Sequence, residues 1–354
     1  MKIAFTGGGT IGHVAVNMAL IPEAVGQQID CIYIGSKTGI EKEMITTQFP
    51  EVKYYGISSG KLRRYFSVEN AKDIIKVQKG VVDAYRILRK EKPDIVFSKG
   101  GFVTVPVVIA AKMLKIKTII HESDVTPGLA NKISLKFATK CYTTFIETLK
   151  YVPEDKSDYV GGIVRKEIFT GNKDKGYRLT GFNDEKKVLL VMGGSLGSKH
   201  INETIRTHLA VLLDCYQIIH ITGNGLEDSA LNQPGYKQFM FVKEELPHLF
   251  AVTDTIISRA GSNAIFEFLS LRIPMLLIPL GLDQSRGDQI DNAKLFEQHG
   301  YARVLQESEL TSESLIAELN QLEEDRSAVI AAMNEAQMTY TPEELLQKIL
   351  DDAR

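Results

Sequence analysis

The sequence predicts an α/β fold of two doubly wound, Rossmann-like parallel-sheet domains facing each other across a cleft. Three observations carry that expectation. An apolar strand running into a glycine-rich turn that opens a helix occurs twice, at Lys2-Ile3-Ala4-Phe5-Thr6-Gly7-Gly8-Gly9-Thr10-Ile11-Gly12-His13 and at Lys187-Val188-Leu189-Leu190-Val191-Met192-Gly193-Gly194-Ser195-Leu196-Gly197. A sharp strand-to-helix turn needs residues that tolerate positive φ, and glycine also lets backbone N–H groups approach a ligand. The length of 354 residues exceeds what one hydrophobic core normally supports, and a 44% hydrophobic share can fill two. Short β-rich apolar runs alternate with amphipathic stretches throughout, the pattern of parallel strands covered by helices.

In chain order, strands are expected at Lys2–Thr6, Asp30–Ile34, Lys53–Tyr55, Asp94–Ser98, Thr118–His121 and Lys140–Thr143. Together with the intervening helices they make one complete domain, residues 1–160. The glycine-rich, polar stretch from Tyr159 to Glu185 contains Gly161-Gly162, a natural hinge. The second domain, residues 161–340, repeats the plan with strands at Lys187–Met192, Gln217–Thr222, Phe239–Phe241, Thr255–Ser258, Pro274–Ile278 and Ala302–Leu305. A final helix follows Thr341-Pro342, and a return of residues 341–354 to the first domain is open to it.

A formal net charge of −2 gives no global reason to expect nucleic-acid binding. Cys31, Cys141 and Cys215 lie far apart without metal-ligand spacing, so buried thiols in a reducing, cytoplasmic setting are expected. The first strand is expected from Lys2 onward, so no signal sequence is expected. The apolar stretches around Val103–Ala111 and Ile273–Leu282 are broken by Pro106, Pro274, Pro279 and Gly281 and fall short of the ~20 residues that span a bilayer.

Open α/β sheets bind ligands at the carboxyl ends of their strands. In the first domain those positions hold Thr10, Gly12 and His13, then Lys99-Gly100-Gly101-Phe102, then His121-Glu122-Ser123-Asp124. In the second they hold Gly193-Gly194-Ser195, Arg259-Ala260-Gly261-Ser262-Asn263 and the loop from Leu280 to Gln289. Gly7, Gly9 and Gly12 fit the dinucleotide fingerprint, but the second strand ends at Ile34-Gly35-Ser36 without an acid for a ribose, which argues against a nicotinamide or flavin cofactor. Ser195 and its neighbouring N–H groups stand at a helix N-terminus suited to a phosphate, where donors stabilise the charge growing on a leaving nucleoside diphosphate. No Asp-x-Asp pair is present, so a carboxylate-held metal is not expected. Ser262 reads as an N-cap with Glu267 one turn on, where a carboxylate either accepts from both ribose hydroxyls or only complements the helix dipole. His13, at a helix N-terminus that favours its neutral form, Glu122 and Asp124 are the candidate bases, and one of the carboxylates can serve only to orient other groups.

Residues 61–92 contain ten Lys or Arg against four acids. Arg63 and Arg64 precede Tyr65 and Phe66, and Ile74, Ile75, Val77, Val81 and Val82 can share a helix face. That combination suits anionic lipid headgroups, with a solvated core-packed helix as the plainer alternative.

Taken together, these loops resemble the MurG-type N-acetylglucosaminyltransferases of peptidoglycan synthesis over essentially the whole chain. The resemblance rests on Thr6 through His13, Ser98-Lys99-Gly100-Gly101-Phe102-Val103, His121-Glu122-Ser123-Asp124 with Pro127-Gly128-Leu129-Ala130-Asn131, Gly193-Gly194-Ser195, Ser258-Arg259-Ala260-Gly261 with Glu267, and Asp283-Gln284-Ser285-Arg286-Gly287-Asp288-Gln289 with Asn292. It implies a GT-B glycosyltransferase, inverting and metal-independent, that moves N-acetylglucosamine from UDP-GlcNAc to the 4-hydroxyl of undecaprenyl-pyrophosphoryl-MurNAc-pentapeptide, giving lipid II. By that likeness Arg165, Gly194, Ser195, Ser262, Glu267 and Gln289 bind the donor. Thr10, Gly12, His13, Gly100, Gly101, Glu122 and Asp124 line the acceptor side. It further implies a peripheral protein at the cytoplasmic membrane face, among cell-wall synthesis and division proteins. The chain departs from the commonest family pattern at Gly162-Ile163, where many members have Asn-Pro, at Asp124, where many have Asn, and at Asp288, where many have Gln. A UDP-sugar epimerase and a non-catalytic nucleotide-sugar binding protein are the alternatives. An epimerase would make free epimerised sugar, and a pure binder would have no activity to lose at His13, Glu122 or Asp124.

Overall fold

Successive residues of a strand face opposite sides of its sheet, so the near-continuous apolar runs demand cover on both. The computed structural model describes residues 1–60, 68–194, 196–231, 233–336 and 339–354, of which residues 68–72 and 74 are described by their backbone alone. The chain divides into two compact units, Met1–Ile163 with Met338–Arg354, and Val164–Gln337.

The first unit runs β1 (Lys2–Thr6), α1 (Gly12–Gly26), β2 (Asp30–Ser36), α2 (Ile40–Gln48), β3 (Lys53–Ile57), α3 (Val68–Glu91), β4 (Ile95–Ser98), α4 (Thr104–Met113), β5 (Lys117–Glu122), α5 (Leu129–Ser134), β6 (Lys140–Thr143) and β7 (Ser157–Tyr159). Among the described residues these strands form one parallel sheet ordered β3-β2-β1-β4-β5-β6-β7. Ile3, Phe5, Phe97 and Ile119 pack on one face against Leu20 and Ile21 of α1. Ala4, Ile32, Ile34 and Val96 pack on the other against Ala84 and Leu88 of α3 and Val107 of α4.

A short strand, β8 (Gly162–Ile163), ends this first segment. The second unit continues with α6 (Lys173–Thr180), β9 (Lys187–Met192), α7 (Lys199–Thr207), α8 (Leu209–Cys215), β10 (Tyr216–Ile221), β11 (Tyr236–Phe239), α9 (Leu246–Val252), β12 (Thr255–Ser258), α10 (Ser262–Leu271), β13 (Met275–Leu277), α11 (Asp288–Gln298), β14 (Ala302–Val304), α12 (Ser312–Glu324) and α13 (Arg326–Glu335). Its parallel sheet is ordered β11-β10-β9-β12-β13-β14. In both units the order reverses beside the strand that precedes the glycine turn, at β1/β4 and β9/β12, where such folds bind ligands.

The chain ends with β15 (Thr339–Tyr340), paired to β8, and α14 (Pro342–Ala353). A capping box between Thr341 and Glu344, with proline in the first turn, starts α14. Leu345, Leu346 and Ile349 are fully buried in the same core as Ile3 and Phe5, at roughly 1.5–3 kcal/mol per buried side chain. Lys140 Nζ to Asp352 Oδ1 at 2.6 Å and Lys348 Nζ to Asp158 Oδ2 at 2.7 Å fix the helix further on the first unit.

Local expectations shift in several places. Cys31 and Cys141 are buried as expected, but Cys215, at the end of α8, is exposed. The strand expected at Phe239–Phe241 ends at Phe239, because Met240 and Phe241 lie past its carboxyl end and are 50% and 60% exposed. The polar edge strand β7 and the two-residue strands β8 and β15 carry no apolar run by which to be read. Ser262 is the first residue of α10 rather than its cap; Gly261 takes the N-cap place in extended conformation, and the Ser262 hydroxyl is buried without a hydrogen-bond partner.

Candidate active site

In the first unit the glycine turn after β1 meets the one after β4. Gly8 donates its N–H to the Gly100 carbonyl at 3.3 Å, and a Cβ on Gly101 would stand only 2.1 Å from the Gly8 carbonyl oxygen. Only glycine permits that approach, and Gly101 also has φ +90°. The turn leads into α1 with Thr10 and Gly12 exposed and His13 half-buried. Thr10 Oγ1 lies 3.0 Å from His13 Nδ1 and holds the ring. The same ring passes Gly100, whose Cβ position is 3.6 Å from His13 Cδ2 and 3.4 Å from the Asn131 amide.

Asn131 carries the contact onward to Glu122, the last residue of β5. Glu122 is 5% exposed, and Oε2 accepts from Asn131 Nδ2 at 2.9 Å and the Gly128 N–H at 3.0 Å. Oε1 accepts from the Asp124 N–H at 3.1 Å. Burial raises the Glu122 carboxyl above the ordinary carboxylate range, with the nearby Asp124 charge adding to it and the Asn131 hydrogen bond opposing. Lys99 is buried beside this group and donates to Ser123 Oγ; burial lowers its ammonium, while Glu122 and Asp124 act in the other direction. His121 is buried, and desolvation together with Lys99 pushes it well below its ordinary value, so it is neutral. Asp124, unlike Glu122, is only partly buried. The structure therefore brings His13, Gly100 and Glu122 into one chain of contacts through Asn131, with Thr10, Gly12, Gly101 and Asp124 along it.

In the second unit, Gly194 has φ +91° and open space where a side chain would stand. Ser195 lies outside the described residues. The helix that follows, α7, is capped by Ser198, whose Oγ accepts from the Ile201 N–H at 3.3 Å and from Arg259 Nη2 at 2.8 Å. Arg259 is 5% exposed and also donates from Nη1 to the Ile278 and Pro279 carbonyls at 3.1 and 3.3 Å. Its Nη2 is paired with Glu307, whose Oε2 accepts from the Gly281 N–H at 3.3 Å. One guanidinium thus ties together the loops that follow β9, β13 and β14.

Glu267 projects from α10 at 9% exposure. Arg165 Nε and Nη2 reach its Oε1 at 2.9 and 2.8 Å, so both contacts fall on one oxygen. Burial raises the Glu267 carboxyl, and Arg165 opposes that shift. Gln289, in the first turn of α11, accepts the Leu280 N–H at 3.2 Å, and Asn292 donates to the Ala260 carbonyl at 3.3 Å. Arg165, Glu267, Gln289, Gly194 and Ser262 all belong to this unit.

Residues 3–143 match the glycosyltransferase family 28 N-terminal domain, and residues 188–349 match the family's C-terminal domain. The chain belongs to glycosyltransferase family 28. It is 64% identical, over 99% of both chains, to the UDP-N-acetylglucosamine--N-acetylmuramyl-(pentapeptide) pyrophosphoryl-undecaprenol N-acetylglucosamine transferase of Staphylococcus haemolyticus (strain JCSC1435). It is 62% identical, again over 99% of both, to the protein of the same name from Staphylococcus aureus (strain JH9). Among solved structures it resembles Acinetobacter baumannii MurG with a TM-score of 0.77 at 23% identity, covering 99% of each chain. It also resembles the glycotransferase of kitacinnamycin with a TM-score of 0.73 at 15% identity, covering 98% of this chain and 95% of that one. These two likenesses concern the fold, which is GT-B with two Rossmann-like parallel-sheet domains.

Residues that the sequence did not single out as functional also shape the site. Glu307 and Glu41 are acids at 9% and 0% exposure that hold strand-end loops, and nothing local distinguishes them from surface acids. Asn131 stood in a family motif without a role.

Proposed function

We propose that this chain transfers N-acetylglucosamine from UDP-N-acetylglucosamine to the 4-hydroxyl of the lipid-linked muramoyl-pentapeptide, forming lipid II with release of UDP. The observation that carries the reading is 64% identity over nearly the whole chain to a relative named for that transfer. In the proposed reaction the acceptor oxygen attacks the anomeric carbon, the bond from that carbon to the diphosphate oxygen breaks, and the configuration inverts without a covalent intermediate.

The donor is assigned to the second unit. The diphosphate lies against Gly194 and the start of α7, where the positive end of the helix stabilises the charge that grows on the leaving phosphate. The ribose hydroxyls bond Glu267 at Oε2, the oxygen that carries neither Arg165 contact. Arg165, Ser262 and Gln289 complete the donor side, and Ser195 is proposed for a phosphate on its sequence position alone. The acceptor is assigned to the first unit, with Thr10, Gly12, Gly100 and Gly101 around its pyrophosphate.

Among the three candidate bases, Glu122 already accepts three hydrogen bonds inside the protein, which suits an organiser of its loop rather than a proton acceptor. His13 is the proposed base. With Nδ1–H donating to Thr10 Oγ1, Nε2 carries the lone pair that takes the hydroxyl proton. Asp124 is the alternative, and being partly exposed it can also orient the acceptor.

Peripheral attachment to anionic membrane at the cytoplasmic face is part of the proposal. Arg63, Arg64, Tyr65 and Phe66 lie outside the described residues. Further along, α3 exposes Ile75 at 65% and Val82 at 48% beside exposed Lys76, Lys79, Arg86 and Arg89, whereas Val81 packs into the core. Among the described residues no helix is long and apolar enough to cross a membrane.

The test is incubation of purified protein with UDP-GlcNAc and a lipid-linked muramoyl acceptor. UDP release that requires acceptor, with no free epimerised sugar, is expected; no release, or release without acceptor, contradicts the reading.

A further inference from the structure

The first glycine turn is shaped by a carboxylate from outside every motif so far described. Glu41, in the first turn of α2, is fully buried. Its Oε2 accepts the Gly9 N–H at 3.1 Å, and its Oε1 accepts the Ser36 N–H at 2.9 Å and the Ser36 hydroxyl at 2.6 Å. Glycine makes the room: a Cβ on Gly8 would stand 2.4 Å from the Glu41 carboxyl carbon, and one on Gly39 would stand 2.3 Å from Oε2. A buried carboxylate is costly unless donors surround it, and here two backbone N–H groups, a hydroxyl and the start of α2 do so.

The contact with Gly9 fixes the orientation of the Gly8–Gly9 peptide. On its other side that turn is pinned by the Gly8 N–H to Gly100 bond and the close approach of Gly101. Held from both sides, the chain delivers Thr10, Gly12 and His13 at the head of α1. We infer that Glu41 is a positioning residue of the acceptor half: by taking the Gly9 N–H it sets the turn that presents the α1 N-terminus and His13 to the acceptor. This rests on the proposed reaction. Glu41 touches neither substrate; it acts through the turn.

The experiment compares steady-state constants for both substrates in Glu41→Gln and wild type. The glutamine has the same shape but one acceptor oxygen, so in either orientation the Gly9 N–H or the Ser36 N–H is left facing an NH₂ group and the two-ended hold on the turn is broken. Loss of a buried hydrogen bond corresponds to about a 10–100-fold fall in kcat/KM for the lipid acceptor, with the KM for UDP-GlcNAc changing less than about twofold. Gly8→Ala, which drives a methyl group into the same carboxylate, is expected to give the same acceptor-selective signature and is read if Glu41→Gln does not fold. Ser36→Ala removes the 2.6 Å contact but keeps the one to Gly9, and is expected to change neither constant by more than about twofold. Unchanged acceptor kinetics in folded Glu41→Gln, or an equal loss for donor and acceptor, overturns the inference. Wild type that transfers no sugar sinks the reaction itself, a failure distinct from that of Glu41.

Discussion

Replacing Arg259 with methionine tests whether a buried ion pair holds the donor loops together. The Arg259 and Glu307 side chains are 6% and 9% exposed, so removing the guanidinium leaves a carboxylate in the interior with the Gly281 N–H at 3.3 Å and the more distant Gln284 Nε2 at 3.5 Å and His200 Nδ1 at 3.7 Å. Breaking a buried pair from one side costs about 3–5 kcal/mol, chiefly the burden of the stranded charge. The Ile278 and Pro279 carbonyls and Ser198 Oγ lose their donor as well. Urea unfolding followed by circular dichroism is expected to show that loss in the transition of the C-terminal unit. Adding Glu307→Gln removes the stranded charge, so the double variant should recover about 2 kcal/mol or more relative to the sum of the singles. Titration calorimetry should show UDP binding weakened by about tenfold or more, since loops that carry the diphosphate lose their tie. A single-variant cost below about 1 kcal/mol, or strict additivity in the cycle, refutes the reasoning.

Three further outcomes are expected. His13→Ala should lower kcat by about 10²–10⁴-fold while leaving UDP affinity unchanged by calorimetry; a modest loss of activity would move the base to Asp124. His220 bridges Tyr236 OH at 2.8 Å and Asn202 Oδ1 at 2.9 Å, and burial lowers it to about 3. The unfolded chain therefore binds this proton first, so stability falls by up to about 1.4 kcal/mol per pH unit as pH drops from roughly 6.5 toward the native value, and His220→Leu should flatten that slope. Ile75→Asp with Val82→Asp should weaken co-sedimentation with anionic vesicles, and wild-type binding should fade with salt; binding indifferent to both would remove α3 from the membrane surface.

The sheets were legible because buried parallel strands such as Ile95–Ser98 and Thr255–Ser258 are unbroken β-rich runs bounded by turns. Boundaries drifted where the apolar signal outlasted the pairing, as at Met240 and Phe241. Glycine turns pointed to where strand-end loops meet: a Cβ on Gly101 would strike the Gly8 carbonyl, and one on Gly8 would strike the Glu41 carboxylate. What remained hidden is long-range. Glu41 bonds a residue 32 positions away, Arg259 pairs with Glu307 48 positions on, and Asp352 closes on Lys140 across 212. Local pattern carries no trace of such partners. Glu122 and Asp124 look equivalent in sequence, and folding separates them by burial, with Glu122 5% exposed and Asp124 only partly buried.

The location of the nucleotide is the most direct measurement, made by determining the structure with UDP bound. The diphosphate is expected against Gly194 and the start of α7, with the ribose on Glu267. A diphosphate lodged instead against Gly7–Gly9 of the first unit would contradict the assignment of donor and acceptor halves.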